Sequence, residues 1–284
     1  GLLVVNAAGN QGNEPFKYVA TPADADSVLA VGAVNSNRQP GGFSSYGPSS
    51  DGQVKPDVAS VGVATVVQTT GNTIGTNNGT SFACPNMAGL ATCLWQGFPE
   101  VNNMQIIRTL RQAGNQFTAP DNRIGYGIPD MKKAVLILLK EVATTSISAT
   151  SCKNTISWTS KDIQGMSFAI ERKAPGEAAF SKIGEQAAKG TSFSTQSYQF
   201  ADSLLNIQAG TFTYRIRQVI DTAAASTMAD YIDTVSVSLA ATCTTTPVIN
   251  VPLTSEEYTL MPNPAHNKLT LRMSTPYAVP ALSF

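Results

Sequence analysis

Two short stretches hold residues that could do chemistry together. Asn78-Gly79-Thr80-Ser81 leads into Phe82-Ala83-Cys84-Pro85-Asn86-Met87-Ala88-Gly89, so a hydroxyl stands at the head of an apolar run. Glycine and a hydroxyl residue before such a run mark a helix amino terminus, which puts Ser81 at or just inside it. There the free backbone N–H groups and the positive end of the helix dipole favour an alkoxide and a nearby oxyanion. Pro85 has no N–H to close on the Ser81 carbonyl, which loosens that turn. Ser81 is thus a candidate nucleophile, although Gly-Thr-Ser alone is also an ordinary helix cap. The second stretch is Val4-Val5-Asn6-Ala7-Ala8-Gly9-Asn10-Gln11-Gly12, an apolar strand ending in small residues and an amide. A neutral amide donor suits a developing oxyanion because it stabilises the charge without forming a tight ion pair. Taken alone, Asn10 beside Gly9 also reads as a turn residue.

The elements that must position these groups read as α/β over residues 1 to about 142. Leu2–Asn6 and Ser27–Val34 are short buried strands among glycine-rich loops. Ser81–Trp95 is almost wholly apolar and predicts a helix buried on all sides. A second helix is predicted over Asn103–Ala113, with Ile106, Ile107 and Leu110 on one face. A third is predicted over Asp130–Lys140, opened by Pro129 and Asp130. From residue 145 to 243 the period changes to two. Phe212, Tyr214 and Ile216 alternate with Thr213, Arg215 and Arg217, and Val235, Val237 and Leu239 alternate with Thr234, Ser236 and Ser238. Such runs between polar turns predict an antiparallel sandwich. Residues 242 to 253 read as a linker.

The bulk numbers set limits. A chain of 284 residues is enough for about two domains. Hydrophobic residues at 42% and charged residues at 13% describe a chain that can fill a core. Net charge is zero, so no nucleic-acid partner is expected. The longest aliphatic run, Ala134–Leu139, is far too short to span a membrane. No CxxC or His/Cys cluster suggests a structural metal. Cys84 and Cys93 read as small buried hydrophobes. Cys152 and Cys243 bracket the β-rich segment, where a disulfide is one open possibility for a secreted protein. The chain starts without Met or a signal peptide, in what reads as a strand already under way, so sequence is expected upstream of Gly1.

The string around Ser81 resembles the nucleophile motif of the subtilisin family. It matches at Gly79, Thr80, Ser81, Pro85, Ala88 and Gly89, and has Asn86 where the family often has a structural His. The strand end at Asn10 is similar to the one whose Asn points into the subtilisin oxyanion hole. Phe43-Ser44-Ser45-Tyr46-Gly47-Pro48, Lys55-Pro56-Asp57-Val58-Ala59 and Gly125-Tyr126-Gly127-Ile128-Pro129-Asp130 resemble further stretches of that fold in the same order. Ser60-Val61-Gly62 departs from the family's Ala-Pro-Gly. The resemblance implies a partial subtilisin-like α/β fold, a parallel sheet with helices on both faces, and a serine endopeptidase acting on polypeptides through an acyl-enzyme on Ser81. Asn10 and the Ser81 N–H would form the oxyanion hole, and Ala7, Ala8, Gly9, Gly79 and Thr80 would contact substrate. No cofactor is expected, although calcium is found in subtilisin relatives.

A serine nucleophile needs a base and an orienting carboxylate, which subtilisins place before it in the order Asp, His, Ser. The chain's one histidine, His266, follows Ser81 and lies in the tail, while Asp24 and Asp57 fall in the wrong places for the triad. Both missing groups are therefore expected upstream of Gly1, with residues 1–142 as the carboxy-terminal part of the catalytic domain, inactive alone. Residues 143–246 resemble a fibronectin type III module, with Trp158 and Tyr214 in its core positions. Within 247–284, Leu260-Met261-Pro262-Asn263-Pro264 through Leu271 resembles the opening of a type IX secretion sorting domain. That implies a secreted or surface protein of a gram-negative bacterium, with sequence expected beyond Phe284. A non-catalytic subtilisin scaffold, or an adhesion protein using Arg172, Lys173, Arg215 and Arg217 of the β-rich segment, is the alternative.

Overall fold

The computed structural model describes residues 1–150, 152–190, 193–204, 208–220 and 229–243, together with the backbone of 228, 259–261 and 270–272. It forms two compact units, Gly1–Cys243 and Thr244–Phe284.

Strands β1 (Val4–Ala7), β2 (Val28–Val34) and β3 (Val58–Val61) form a parallel sheet in the order β1-β2-β3. Every residue of β2 is buried, as the middle of a parallel sheet requires. β1 differs from the expectation of a buried strand. It is an edge, with Leu2 78% and Val4 38% exposed, because no described strand pairs with its outer side. A hairpin of β4 (Thr65–Gln68) and β5 (Ile74–Asn77) leads into helix α1 (Thr80–Gly97).

The sheet receives one face of α1. Ala83, Met87, Ala91 and Leu94 share a core with Leu29, Val31, Ala33 and Val58, at the spacing of a helical stripe. The opposite face, with Pro85, Asn86, Gly89, Leu90 and Cys93, is exposed. Burial on all sides is therefore corrected: among the described residues the sheet covers one side only. The same geometry corrects the reading of Cys93 as a buried residue, while Cys84 is half-buried.

Helix α2 (Asn103–Ala113) opens on a reciprocal cap. The Asn102 side chain accepts from the Gln105 N–H at 2.9 Å, and the Gln105 side chain accepts from the Asn102 N–H at 2.8 Å. Helix α3 (Met131–Val142) is capped by the Asp130 carboxylate, which accepts from the N–H groups of Lys132 and Lys133. Beneath them lies an ion cluster. Lys55 Nζ donates to Ala25 O at 2.8 Å, Val28 O at 3.1 Å and Asp57 Oδ2 at 3.0 Å. Asp57 Oδ2 also accepts from the Ala30 N–H at 2.6 Å, and Oδ1 accepts from Arg111 Nε at 2.8 Å. These bonds tie the entry to β2, the entry to β3 and α2 together.

Seven strands follow: β6 (Thr144–Thr150), β7 (Lys153–Lys161), β8 (Met166–Lys173), β9 (Ser181–Ala187), β10 (Thr195–Ser203), β11 (Gly210–Ile220) and β12 (Met228–Leu239). They make two antiparallel sheets, β10-β7-β6 and β12-β11-β8-β9. Ile156, Trp158 and Tyr198 of the first sheet share a core with Phe168, Ile170, Phe212 and Tyr214 of the second. Trp158 stacks on Tyr198, with ring centroids 5.5 Å apart. Tyr214 Oη donates to Asp202 Oδ2 at 2.6 Å and accepts from Asn154 Nδ2 at 2.9 Å. Cys152 and Cys243 form a disulfide. Two of the four candidate surface cations are engaged: Arg172 pairs with Asp202, and Arg215 pairs with Glu171 between the rings of Phe180 and Tyr231.

The α/β part and the two antiparallel sheets meet within one unit. Gln218 Nε2 donates to Leu136 O at 3.2 Å. Lys161, 6% exposed, donates to Gly97 O at 2.8 Å and pairs with Glu100 at 3.0 Å. Phe193 sets its ring edge-on to Phe98, 5.7 Å between centroids. α1 carries no basic residue in its last turn, so Lys161 supplies the cation that the carbonyl end of a helix favours.

In the second unit, β13 (Thr259–Met261) pairs antiparallel with β14 (Thr270–Arg272). Pro262-Asn263-Pro264 and His266 lie outside the described residues.

Candidate active site

The site is built where β1 ends. Ala8 continues the ladder, its N–H donating to Val31 O at 2.9 Å. Gly9 then turns the chain with φ 107°, and a Cβ there would sit 2.6 Å from Gln11 Oε1 and 2.8 Å from Ser45 Oγ. Only glycine fits both the backbone angle and the space. The turn is fixed from below. Gly9 O accepts from the Ser45 N–H at 2.9 Å, and the Gly12 N–H donates to Phe43 O at 2.8 Å. Ser45 Oγ accepts from the Gln11 N–H and donates to Gln11 Oε1, each at 3.0 Å.

Asn10 is thereby aimed at the start of α1. That helix begins at Gly79 without a side-chain cap of its own. Its first N–H, on Thr80, donates instead to Asn10 Oδ1 at 2.9 Å, and Thr80 Oγ1 donates to the same oxygen at 2.9 Å. Thr80 Oγ1 also accepts from the Gly9 N–H at 3.3 Å. A backbone N–H can only donate, so the amide oxygen must face the helix and Nδ2 must face away. Among the described residues Nδ2 has no acceptor, and Asn10 is exposed.

Ser81 follows in the first turn, also exposed, and its hydroxyl has no partner among the described residues. Its N–H belongs to the set for which a helix offers no internal carbonyl. Ser81 and Asn10, which come from separate stretches of sequence, are thus linked through one residue: Thr80 bonds to Asn10 and directly precedes Ser81. Ala8, Gly79 and Thr80 are buried, and Ala7 and Gly9 are half-buried. Both donors of Thr80 are engaged with Asn10, a positioning contact the sequence reading did not assign. Ser45 also positions the turn, through contacts to Gly9 and Gln11 that lie too far apart in sequence to be read from it. Asn86 Nδ2 donates to Val61 O at 3.3 Å, joining α1 to β3.

Cys84, the other nucleophile in this helix, does not compete. Its thiol donates to Val5 O at 3.5 Å, and burial pushes its pKa up, away from the reactive thiolate. The described residues include no histidine, and both carboxylate oxygens of Asp57 are engaged in the ion cluster. No group of three or more His, Cys, Asp or Glu side chains is gathered among the described residues as a metal site. No helix among the described residues is long and apolar enough to cross a membrane.

Comparison with known proteins bears on residues 1–127, which match the subtilase family, peptidase S8. A thermostable alkaline protease of Halalkalibacterium halodurans is 35% identical over 120 residues, 42% of this chain and 31% of the relative. Subtilisin NAT of Bacillus subtilis subsp. natto is 38% identical over 122 residues, 41% of this chain and 30% of the relative. The chain thus spans about a third of the length of these curated relatives. Among solved structures, the self-cleaved protease domain of PatA is 26% identical, with a TM-score of 0.41 over 48% of this chain and 50% of that one.

Proposed function

We propose that residues 1–142 are the nucleophile-bearing part of a subtilisin-like serine endopeptidase. The observation that carries this is the orientation of Asn10. Thr80 holds its Oδ1, so Nδ2 is left as a donor without an acceptor among the described residues, and the residue that fixes it directly precedes Ser81. Ser81 Oγ attacks the carbonyl carbon of a peptide bond, and a general base takes its proton. The carbonyl oxygen becomes an oxyanion held by Asn10 Nδ2 and the Ser81 N–H. Collapse expels the amine, which receives the proton from the base and leaves an acyl-enzyme. Water then attacks the ester by the reverse sequence. The reaction calls for no cofactor.

The base and its orienting carboxylate are proposed to come from polypeptide outside this sequence, so the chain alone is inactive. The bare edge of β1, with Leu2 and Val4 exposed, and the uncharged outer face of α1 support this reading. A parallel strand and its flanking segments would cover both. The two antiparallel sheets are proposed to be a fibronectin type III-like module. The resemblance of 260–271 to a type IX sorting domain supports export to the surface of a gram-negative cell.

A fluorescent fluorophosphonate tests the reading, with the adduct mapped by peptide mass. Ser81 should be labelled in a longer secreted protein containing this sequence, and unlabelled in the 284-residue chain. A folded, longer protein that takes no label at Ser81 would overturn it and leave a non-catalytic scaffold.

A further inference from the structure

Beyond the oxyanion loop, the chain lines an open cavity of about 440 Å³ with Phe16, Tyr18, Thr21, Asp24, Pro48 and Ser49. Its rim is aromatic and solvent-facing. Phe16 is 60% and Tyr18 40% exposed, and their rings meet edge to face at 6.2 Å. One charged group lines it. Asp24 is half-buried, and one of its oxygens accepts from Thr21 Oγ1 at 3.2 Å. No Lys or Arg pairs with it among the described residues. The cation nearest in sequence, Lys17, lies over the Tyr18 and Tyr46 rings at 5.8 and 5.9 Å and is not part of the lining.

We infer that this cavity binds the cationic side chain, Lys or Arg, of a polypeptide. Lys17 already lies over the Tyr18 ring, whereas the Phe16 ring has no cation over it among the described residues, and its negative face attracts one. A lone carboxylate among low-dielectric walls focuses a field of the same preference. A neutral aliphatic side chain would cover the carboxylate without pairing it, which is costly. The aliphatic stem of Lys or Arg fits the apolar wall while its head reaches Asp24.

The cavity is joined to the catalytic loop by backbone bonds. The Tyr46 N–H donates to Lys17 O at 3.2 Å, the Val19 N–H donates to Tyr46 O at 3.0 Å, and the neighbouring Ser45 N–H donates to Gly9 O at 2.9 Å. That the ligand is a polypeptide rests on the protease reading, whereas the charge preference does not.

The test is titration of the 284-residue chain with Nα-acetyl-arginine amide and with Nα-acetyl-norleucine amide, followed by NMR shifts of residues 16–24. The arginine amide should bind at least about fivefold more tightly, and Asp24→Asn should abolish that difference. Asp24→Asn retains an oxygen for Thr21 Oγ1, and an unchanged thermal transition shows that it folds. Equal binding of the two amides, a preference that survives Asp24→Asn, or no binding of either at millimolar concentration overturns the inference. Ser81→Ala should leave the preference intact, and Asp24→Asn should leave labelling of Ser81 intact in the longer protein, so the two readings fail separately.

Discussion

Thr80 gives two hydrogens to one oxygen: its N–H and its hydroxyl both donate to Asn10 Oδ1, each at 2.9 Å. The helix start and the amide therefore fix each other. Asn10 supplies the cap α1 lacks, and α1 sets which end of the amide is left unbonded.

In an assembled, active enzyme, Asn10→Ala should lower kcat by about 10²- to 10³-fold with little change in KM, the loss typical for one oxyanion donor. Thr80→Val keeps the backbone donor and removes the hydroxyl. One hydrogen bond contributes about 0.5–1.5 kcal/mol, so kcat should fall only about two- to tenfold. Steady-state kinetics on a peptide substrate separates the two. An Asn10→Ala enzyme with near-normal turnover would remove Asn10 from the mechanism.

Lys55→Met should destabilise the first unit by about 3–5 kcal/mol, the usual result of removing one partner of a buried ion pair. Lys55 and Asp57 are fully buried, and the variant leaves Asp57 with Arg111 as its remaining ion partner. Urea unfolding of the chain measures the loss, and a change below about 1 kcal/mol, the value of a surface pair, would contradict it.

Cys152 and Cys243 close a loop of sequence separation 91. Replacing both with Ser should cost about 2–5 kcal/mol, chiefly by freeing the unfolded chain. Thermal unfolding with and without reductant should show the same loss in the parent protein and none in the double variant.

Alkaline titration followed by tyrosinate absorbance should leave two phenols behind. Tyr198 is pushed up to about 12, mainly by burial. Burial first, and then the Asp202 carboxylate, push Tyr214 higher still. Both folded values exceed the ordinary value of 10.0, so the folded state holds these protons more tightly. Their stabilisation is whole below that value and is lost as pH rises through the folded values. Tyr214→Phe should weaken the dependence, and two phenols titrating at their ordinary value in folded protein would refute it.

The local structure at the candidate site was legible because its parts are local. Ser81 sits in a string that announces a helix start, and Asn10 sits at a strand end with Gly9 beside it. Asn103–Ala113 followed from the spacing of Ile106, Ile107 and Leu110, and β11 and β12 followed from their alternation. What could not be read depends on partners remote in sequence. Thr80 looked like a cap or a substrate contact because its acceptor is on another element. The Lys55–Asp57–Arg111 cluster needs α2 brought under β3. Leu90 and Cys93 looked buried because composition tells how apolar a helix is, not how many of its sides are covered.

Lys161 and Phe193, which close over the far end of α1 at Gly97 and Phe98, also set terms for interchange of parts. A module that joins its neighbour through a plain linker can be exchanged for any other of its kind. This one cannot be exchanged so freely. A transplanted β-module would have to present an ammonium and an aromatic ring at the same two places. Otherwise the recipient helix would end in a naked carbonyl and an uncovered phenylalanine. Chimeras of this protein should accordingly succeed or fail at that seam, whatever the merits of the module grafted on.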